Sequence, residues 1–309
     1  MRHLITLSDL SASEVLRIFT ITDDLKSRFA QGLREPLLPG RVLALLFEKP
    51  SLRTRVSFES GMSHLGGSSI MLDDNAGFGK RESVADFARV LSEMVDVIVV
   101  RSRQHATVEN VARHAACSVI NGLTDLAHPC QVLADLYTLR EQCGQLAGVR
   151  LAWVGDGNNV ARSLVEGCGH LGVQLVVCTP PGYELDAQFV RDARQAFSQL
   201  DLTITRAPVE AVKGAAAVYT DVWASMGQEA ERAKRRLDFA TYQVNRQLMA
   251  HAPHDAIFLH CLPAHRGEEV TDEVIDGPQS VVVAQAANRM HVQKGILVWL
   301  LASQSQPTT

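Results

Sequence analysis

The stretch LLFEKPSLRTRVSFESG, residues 45–61, runs from an apolar segment through a proline into two hydroxyls and two guanidinium groups, Ser51, Arg53, Thr54 and Arg55. Pro50 ends the extended run, and SLRTRVSFESGMSHLG reads as a helix beginning near Ser51. Such a start presents free backbone N–H groups and the positive end of the helix dipole. With the Ser51 and Thr54 hydroxyls and an arginine fork, it has the composition of a phosphate cradle. The two arginines do different work, because residues two apart point to nearly opposite sides of a helix. Arg55 has Glu59 four residues on, a helical ion-pair spacing, so Arg53 is assigned to the anion and Arg55 to the helix. A capped surface helix with solvated arginines would show the same spacing.

Outward from this turn, short continuous apolar runs alternate with helix-period segments. The expected strands are VLALLF at 42, SSIML at 68, VDVIVV at 95 and SVIN at 118, then RLAWVG at 150, VQLVVCT at 173, LTIT at 202, AAVYTD at 216, AIFLHCL at 256 and SVVVAQ at 280. Continuous rather than alternating apolar strands indicate parallel sheets covered on both faces. The expected fold class is α/β, with two doubly wound parallel-sheet domains linked by helices and the active site in the cleft between them. The helix CQVLADLYTLREQCG links the two series, which divides the chain into 1–143, with a C-terminal helix expected to cross back to it, and 144–309.

The chain has 309 residues, a net charge of −4, 46% hydrophobic and 21% charged residues. Those values suit a soluble enzyme and give no electrostatic footprint for nucleic acid. No apolar run approaches the ~20 residues of a membrane span. The start, MRHLITLSDLSASEV, lacks a long apolar core and has Ser11 or Ser13 as a helix N-cap, so a cytoplasmic location is expected. None of the six cysteines forms a CxxC pair, and the default for each is a small buried hydrophobe.

In open parallel sheets, ligands bind beyond the carboxyl ends of the strands. The segments there, EKPSLRTR, RSRQH, NGLTDLAHPCQ, GDGNN, TDVWASMG and HCLPAHRGEE, are rich in Arg, His, Asn, Asp and Ser. In AHPCQ, His128 and Gln131 lie three apart, on one face of a helix whose first turn accepts Pro129. Arg101 ends a strand. These groups suit a ligand with a phosphate and a carbonyl, although a capping histidine and a solvated arginine would look alike. Asp221 and Ser225 in DVWASMG, Asn158 and Asn159 in GDGNN, and Cys261 follow other strands. An acid, amides and a hydroxyl there would hold the amino and carboxylate groups of an amino acid. GDGNN lacks the third glycine of a dinucleotide fingerprint.

Together, SLRTRVSFE, HPCQ, DVWASMG and HCLPAHRGEEVTDEV resemble the ornithine branch of the aspartate/ornithine carbamoyltransferases, in that family's order and spacing and nearly end to end. The resemblance implies carbamoyl phosphate held by Ser51, Leu52, Arg53, Thr54, Arg101, His128 and Gln131, with the main chain at Cys261 and Leu262 and with Arg289. It implies L-ornithine held by Asn159, Asp221, Ser225 and Met226, and attack of its δ-amine on the carbamoyl carbon to give L-citrulline and phosphate, with Cys261, Arg101 and His128 as catalytic groups. Domain 1–143 would take carbamoyl phosphate and domain 144–309 ornithine. The family pattern further implies a homotrimer or a multiple of trimers, Lys80 or Arg81 reaching a neighbouring subunit's site, and no metal or organic cofactor. Leu52 stands where the family often has Thr, a position whose contact would be through its backbone N–H.

The chemistry fits that reading. The carbonyl oxygen gains negative charge as its carbon becomes tetrahedral, and Arg101, His128 and Thr54 are donors that could meet it, each worth ~3–4 kcal/mol in comparable oxyanion holes. The attacking amine must be neutral, against an ordinary pKa of ~10.4, and desolvation would lower it. Cys261 and Asp221 are the groups able to influence that proton. The rivals are aspartate carbamoyltransferase, a transferase for an N-acylated ornithine, a non-catalytic amino-acid or phosphate binding protein, and a nicotinamide-dependent oxidoreductase.

Overall fold

A computed structural model describes residues 1–72, 82–224 and 229–302. By its internal contacts the chain forms two units, Met1–Leu133 with Ala287–Thr309, and Ala134–Ala286. In the first unit, α1 (Ala12–Ala30) is capped by Ser11, whose hydroxyl accepts from the Glu14 amide while the Glu14 carboxylate accepts from the Ser11 amide, a capping box. Then follow β1 (Val42–Phe47), α2 (Leu52–His64), β2 (Ser68–Leu72), α3 (Val84–Ser92), β3 (Val97–Arg101), α4 (His105–His114), β4 (Ser118–Leu123) and α5 (Pro129–Cys143). The strands are parallel, in the order β2-β1-β3-β4.

The second unit continues with β5 (Arg150–Val154), α6 (Asn159–Leu171), β6 (Gln174–Cys178), α7 (Ala187–Ala196), β7 (Asp201–Thr205), α8 (Pro208–Val212) and β8 (Ala217–Thr220). It is completed by α9 (Arg232–Asp238), α10 (Arg246–Met249), β9 (Ile257–His260), α11 (Asp272–Ile275) and the start of α12 (Val282–Leu301), which ends in the first unit. Its strands are also parallel, in the order β7-β6-β5-β8-β9. The interior strands β3 and β5 are buried along almost all of their length, as sheets covered on both faces require.

Each sheet reverses direction once. In the first unit the chain leaves β1 to one side for β2 and returns on the other as β3. In the second it runs β5, β6, β7 and returns as β8 beside β5. Ligands favour such switch points, and the segments after β1 and β3, and after β5 and β8, are SLRTR, RSRQH, GDGNN and DVWA.

One expected strand is a helix. SVVVAQ at 280 supplies only a short extended contact, with Phe258 donating to the Gln279 carbonyl and Val281 donating to Phe258. From Val282 onward the chain is α12. Three valines imitate a strand, but the run continues through Ala, Gln, Met and Leu with no proline, and a 20-residue helix is the result. The tail SQSQPTT, residues 303–309, lies outside the described residues.

Candidate active site

In the first unit, Ser51 is the N-cap of α2. Its hydroxyl donates to Thr54 Oγ1 at 3.0 Å and faces the Thr54 amide at 3.5 Å. Leu52, the first helical residue, turns its side chain to solvent with 76% exposed, leaving the amides of the first turn without intrahelical acceptors. Arg55 pairs with Glu59 at 3.1 Å, as its spacing predicts. Arg53 has no carboxylate or hydrogen-bond partner among the described residues, which leaves its guanidinium available.

Arg101 sits at the end of β3, opposite an irregularity of β4. The register passes from Val100↔Asn121 to Arg101↔Leu123, so Gly122 is an extra residue. Its missing Cβ would lie 3.1 Å from Val99 Cγ1 and 3.2 Å from the Val100 carbonyl. Such a bulge re-aims a strand-end side chain. His128 directly precedes Pro129 and its carbonyl accepts from the Gln131 and Val132 amides, placing it at the N-terminus of α5. Thr54, Arg101, His128, Gln131 and Arg289 are all buried.

Arg289 organises the cluster. Its fork donates to Gln131 Oε1 at 2.5 Å and to Thr54 Oγ1 at 2.9 Å. Burial, reinforced by Arg289 and Arg101, holds His128 well below the usual imidazole range. His128 is therefore a neutral imidazole at pH 7, able to give one hydrogen to a carbonyl oxygen. The result is a cationic, hydrogen-bond-donating cluster at a switch point.

The second unit carries the opposite polarity. Asp221, just beyond β8, accepts from the Cys261 thiol at 2.9 Å and the Val222 amide at 2.8 Å through Oδ1, and from Asn158 Nδ2 at 2.9 Å through Oδ2. Asn158 also caps α6, its Oδ1 accepting from Val160 and Ala161. Asn159 follows as the first helical residue, half-buried. The β5–β8 switch is thus joined by one amide–carboxylate bond. The second glycine of GDGNN serves close packing: a Cβ on Gly157 would lie 2.6 Å from Glu184 C and Leu185 N. Ser225 and Met226 lie outside the described residues, as do Lys80 and Arg81.

Several supporting groups escaped the sequence reading. Arg235, buried on α9, bridges Asp156 Oδ2 at 2.7 Å and the Trp223 carbonyl at 2.8 Å, tying GDGNN to DVWA. His260 donates its amide to Gln285 Oε1 at 2.9 Å, and Gln285 Nε2 donates to Asp135 Oδ1 at 2.7 Å. The Leu262 amide donates to His260 Nδ1 at 2.8 Å, which leaves the Leu262 carbonyl, not its amide, for a ligand. Asp221, His260 and Cys261 place ligand atoms within 4.8 Å of one another. Both His260 nitrogens are already engaged, by Leu262 and by Glu269, so this cluster offers a metal no free imidazole.

Comparison with known proteins also divides the chain in two, but after residue 141 rather than 133, and with residues 287–300 in the second domain. Residues 2–141 match the family model "Aspartate/ornithine carbamoyltransferase, carbamoyl-P binding domain", and residues 147–300 match "Aspartate/ornithine carbamoyltransferase, Asp/Orn binding domain". Among curated relatives, the ornithine carbamoyltransferase of Carboxydothermus hydrogenoformans is 52% identical over 303 residues, 97% of each chain. That of Bacillus subtilis is 49% identical, covering 97% of this chain and 94% of its own. Among solved structures, the ornithine carbamoyltransferase from Pyrococcus furiosus superimposes with a TM-score of 0.94 at 48% identity, covering 97% of each chain. Two domains, two oppositely charged switch points and full-length similarity converge: the chain belongs to the aspartate/ornithine carbamoyltransferase family.

Proposed function

We propose that the protein is the transferase that moves the carbamoyl group of carbamoyl phosphate to the δ-amine of L-ornithine, giving L-citrulline and phosphate. The observation that carries the choice of acceptor is Asp221. A carboxylate fixed by Cys261, Val222 and Asn158 attracts an ammonium and repels the second carboxylate of aspartate. The α-amine must be free to meet it, which disfavours an N-acylated acceptor. The functional division is proposed at 143/144, with 1–143 for carbamoyl phosphate and 144–309 for ornithine. Its support is that the two family descriptions meet between residues 141 and 147.

Carbamoyl phosphate is read end by end. Its phosphate takes the Ser51–Thr54 turn and Arg53, with Leu52 contributing only its amide. Its carbonyl oxygen takes hydrogens from Arg101, neutral His128 and Thr54, with Arg289 and Gln131 setting the positions of Thr54 and the anion. Its NH₂ needs acceptors, and the carbonyls of Cys261 and Leu262 are that type. Ornithine takes Asp221, Asn159, Ser225 and Met226.

The δ-amine lone pair forms the new C–N bond, and the carbonyl oxygen carries the charge of the tetrahedral intermediate. The C–O bond to phosphate then breaks with its electron pair, and the proton lost by the nitrogen leaves on the departing phosphate, so the products are citrulline and hydrogen phosphate. Cys261, hydrogen-bonded to Asp221, is the proposed group beside that proton. The direct test is stoichiometry. Phosphate release should depend on ornithine and match citrulline one for one. Equal release without an acceptor would make the protein a hydrolase.

A homotrimer or multiple of trimers in the cytoplasm is also proposed. Leu52 and Val56 on α2 and Ile70 on edge strand β2 are exposed apolar residues, which supports an oligomeric face. No helix among the described residues is long and apolar enough to cross a membrane. Light scattering of the purified protein tests the assembly, and a monomer would refute it.

A further inference from the structure

The HCLP turn holds a strained residue. Leu262 has φ +55°, and it is the non-glycine residue with positive φ among those described. A branched L side chain avoids that region, and residues persist there only when their surroundings over-determine them. The surroundings here are specific. The Leu262 amide donates to His260 Nδ1 at 2.8 Å. A ring nitrogen that accepts a backbone N–H carries no proton, so the hydrogen of His260 is on Nε2. Nε2 faces Glu269 Oε1 at 3.2 Å, and the same oxygen accepts the His265 amide at 2.5 Å. His260 and Glu269 are both fully buried. On the other side, the His260 amide is fixed by Gln285.

Cys261 is therefore pinned from both sides, with its thiol on Asp221. We infer that His260 and Glu269 form a positioning pair, in which Glu269 fixes the His260 tautomer, that tautomer locks Leu262 in its left-handed conformation, and the lock aims the Cys261 thiol and the Cys261 and Leu262 carbonyls at the reacting groups. This rests on the proposed function, in which those groups face the carbamoyl donor and the amine. A buried ionisable pair is weak evidence for stability as such, since apolar pairs of similar volume serve as well. Its value here is geometric. With a proton on Nδ1, two donors would oppose each other at Leu262 and the turn would lose its lock.

Two substitutions separate geometry from packing. In His260→Asn the amide oxygen reaches roughly the place of Nδ1 and can accept the Leu262 amide. In His260→Gln it reaches the place of Nε2 and leaves that amide without an acceptor. The Gln variant should lose kcat by roughly ten- to a hundredfold, the scale of a small misplacement of reacting groups. The Asn variant should stay within a few-fold of wild type, and both should bind inorganic phosphate, which reads only the anion end, as wild type does. Variants impaired equally and in step with their Tm, or not impaired at all, would overturn the inference. The ¹⁵N shifts of the wild-type His260 ring need no variant: the Nε2–H tautomer is expected, and the Nδ1–H tautomer would overturn it. A wild type that makes no citrulline would overturn the functional reading and this inference with it, whereas a competent wild type with unsplit variants overturns the inference alone.

Discussion

Replacing Arg289 by lysine tests how the anion cluster is built. Arg289 is 4% exposed and its fork makes two buried bonds, to Gln131 at 2.5 Å and Thr54 at 2.9 Å. Lysine keeps the charge but has no fork, so it can serve one of those acceptors and not both. An orphaned buried acceptor costs about 2 kcal/mol, which should lower Tm by several degrees. The same loss applies to carbamoyl phosphate, because Thr54 and the anion then lack a common donor. About 2 kcal/mol corresponds to roughly a thirtyfold rise in Kd. Isothermal titration with carbamoyl phosphate reads the affinity, and scanning calorimetry reads the stability. A variant whose Kd stays within about threefold of wild type, on the same scale, would refute the idea that Arg289 organises the cluster.

Asp221→Asn should raise the ornithine KM by roughly a hundredfold, the scale of removing one partner from a desolvated charge pair, while leaving phosphate affinity unchanged; an unaltered KM would remove Asp221 from amino-acid binding. Lys294, 3% exposed on α12, has its amine pushed down from 10.5 to about 8 by burial and by Arg34, so keeping it charged at pH 7 works against the folded state. Lys294→Met retains the packing of the stem, loses the contact over Phe29, and should raise Tm by a few degrees; a lower Tm would show that the charge stabilises. His291 is pushed down from 6.5 to about 3 by burial, then by Lys294 and Lys26. The unfolded chain binds its proton first, so this stability is full above pH 6.5 and lost as pH falls toward 3. His291→Gln should therefore flatten the acid side of the Tm–pH curve, and an unchanged curve would contradict it.

The strands were legible because parallel sheets covered on both faces need unbroken apolar runs, and VLALLF, RLAWV and IFLH are such runs. The same signal misled at SVVVAQ, where three valines open a helix whose character shows only in the residues that follow. Ser51, Arg53 and Thr54 stood out because a helix start has fixed chemistry, and the Arg55–Glu59 spacing separated the two arginines. Position along the chain could not show that Asn158 would reach Asp221, 63 residues away, or that Arg235 would reach Trp223. Those contacts depend on strand order, which places β8 beside β5. Glu269 lay in plain view within HCLPAHRGEE, but its meeting with His260 depends on a left-handed residue that leucine rarely supplies. Arg289 came from the family resemblance and not from a local signal, because it is an ordinary helix residue until α12 returns to the first unit.

In the proposed function, Asp221 selects a cationic amino acid for carbamoyl transfer. The most direct measurement is colorimetric ureido-product formation from carbamoyl phosphate with L-ornithine, N-acetylornithine or L-aspartate as acceptor. Product with L-ornithine alone is the predicted result. Product with L-aspartate or N-acetylornithine in its place would contradict the reading of Asp221, and no product with any acceptor would contradict carbamoyl transfer itself.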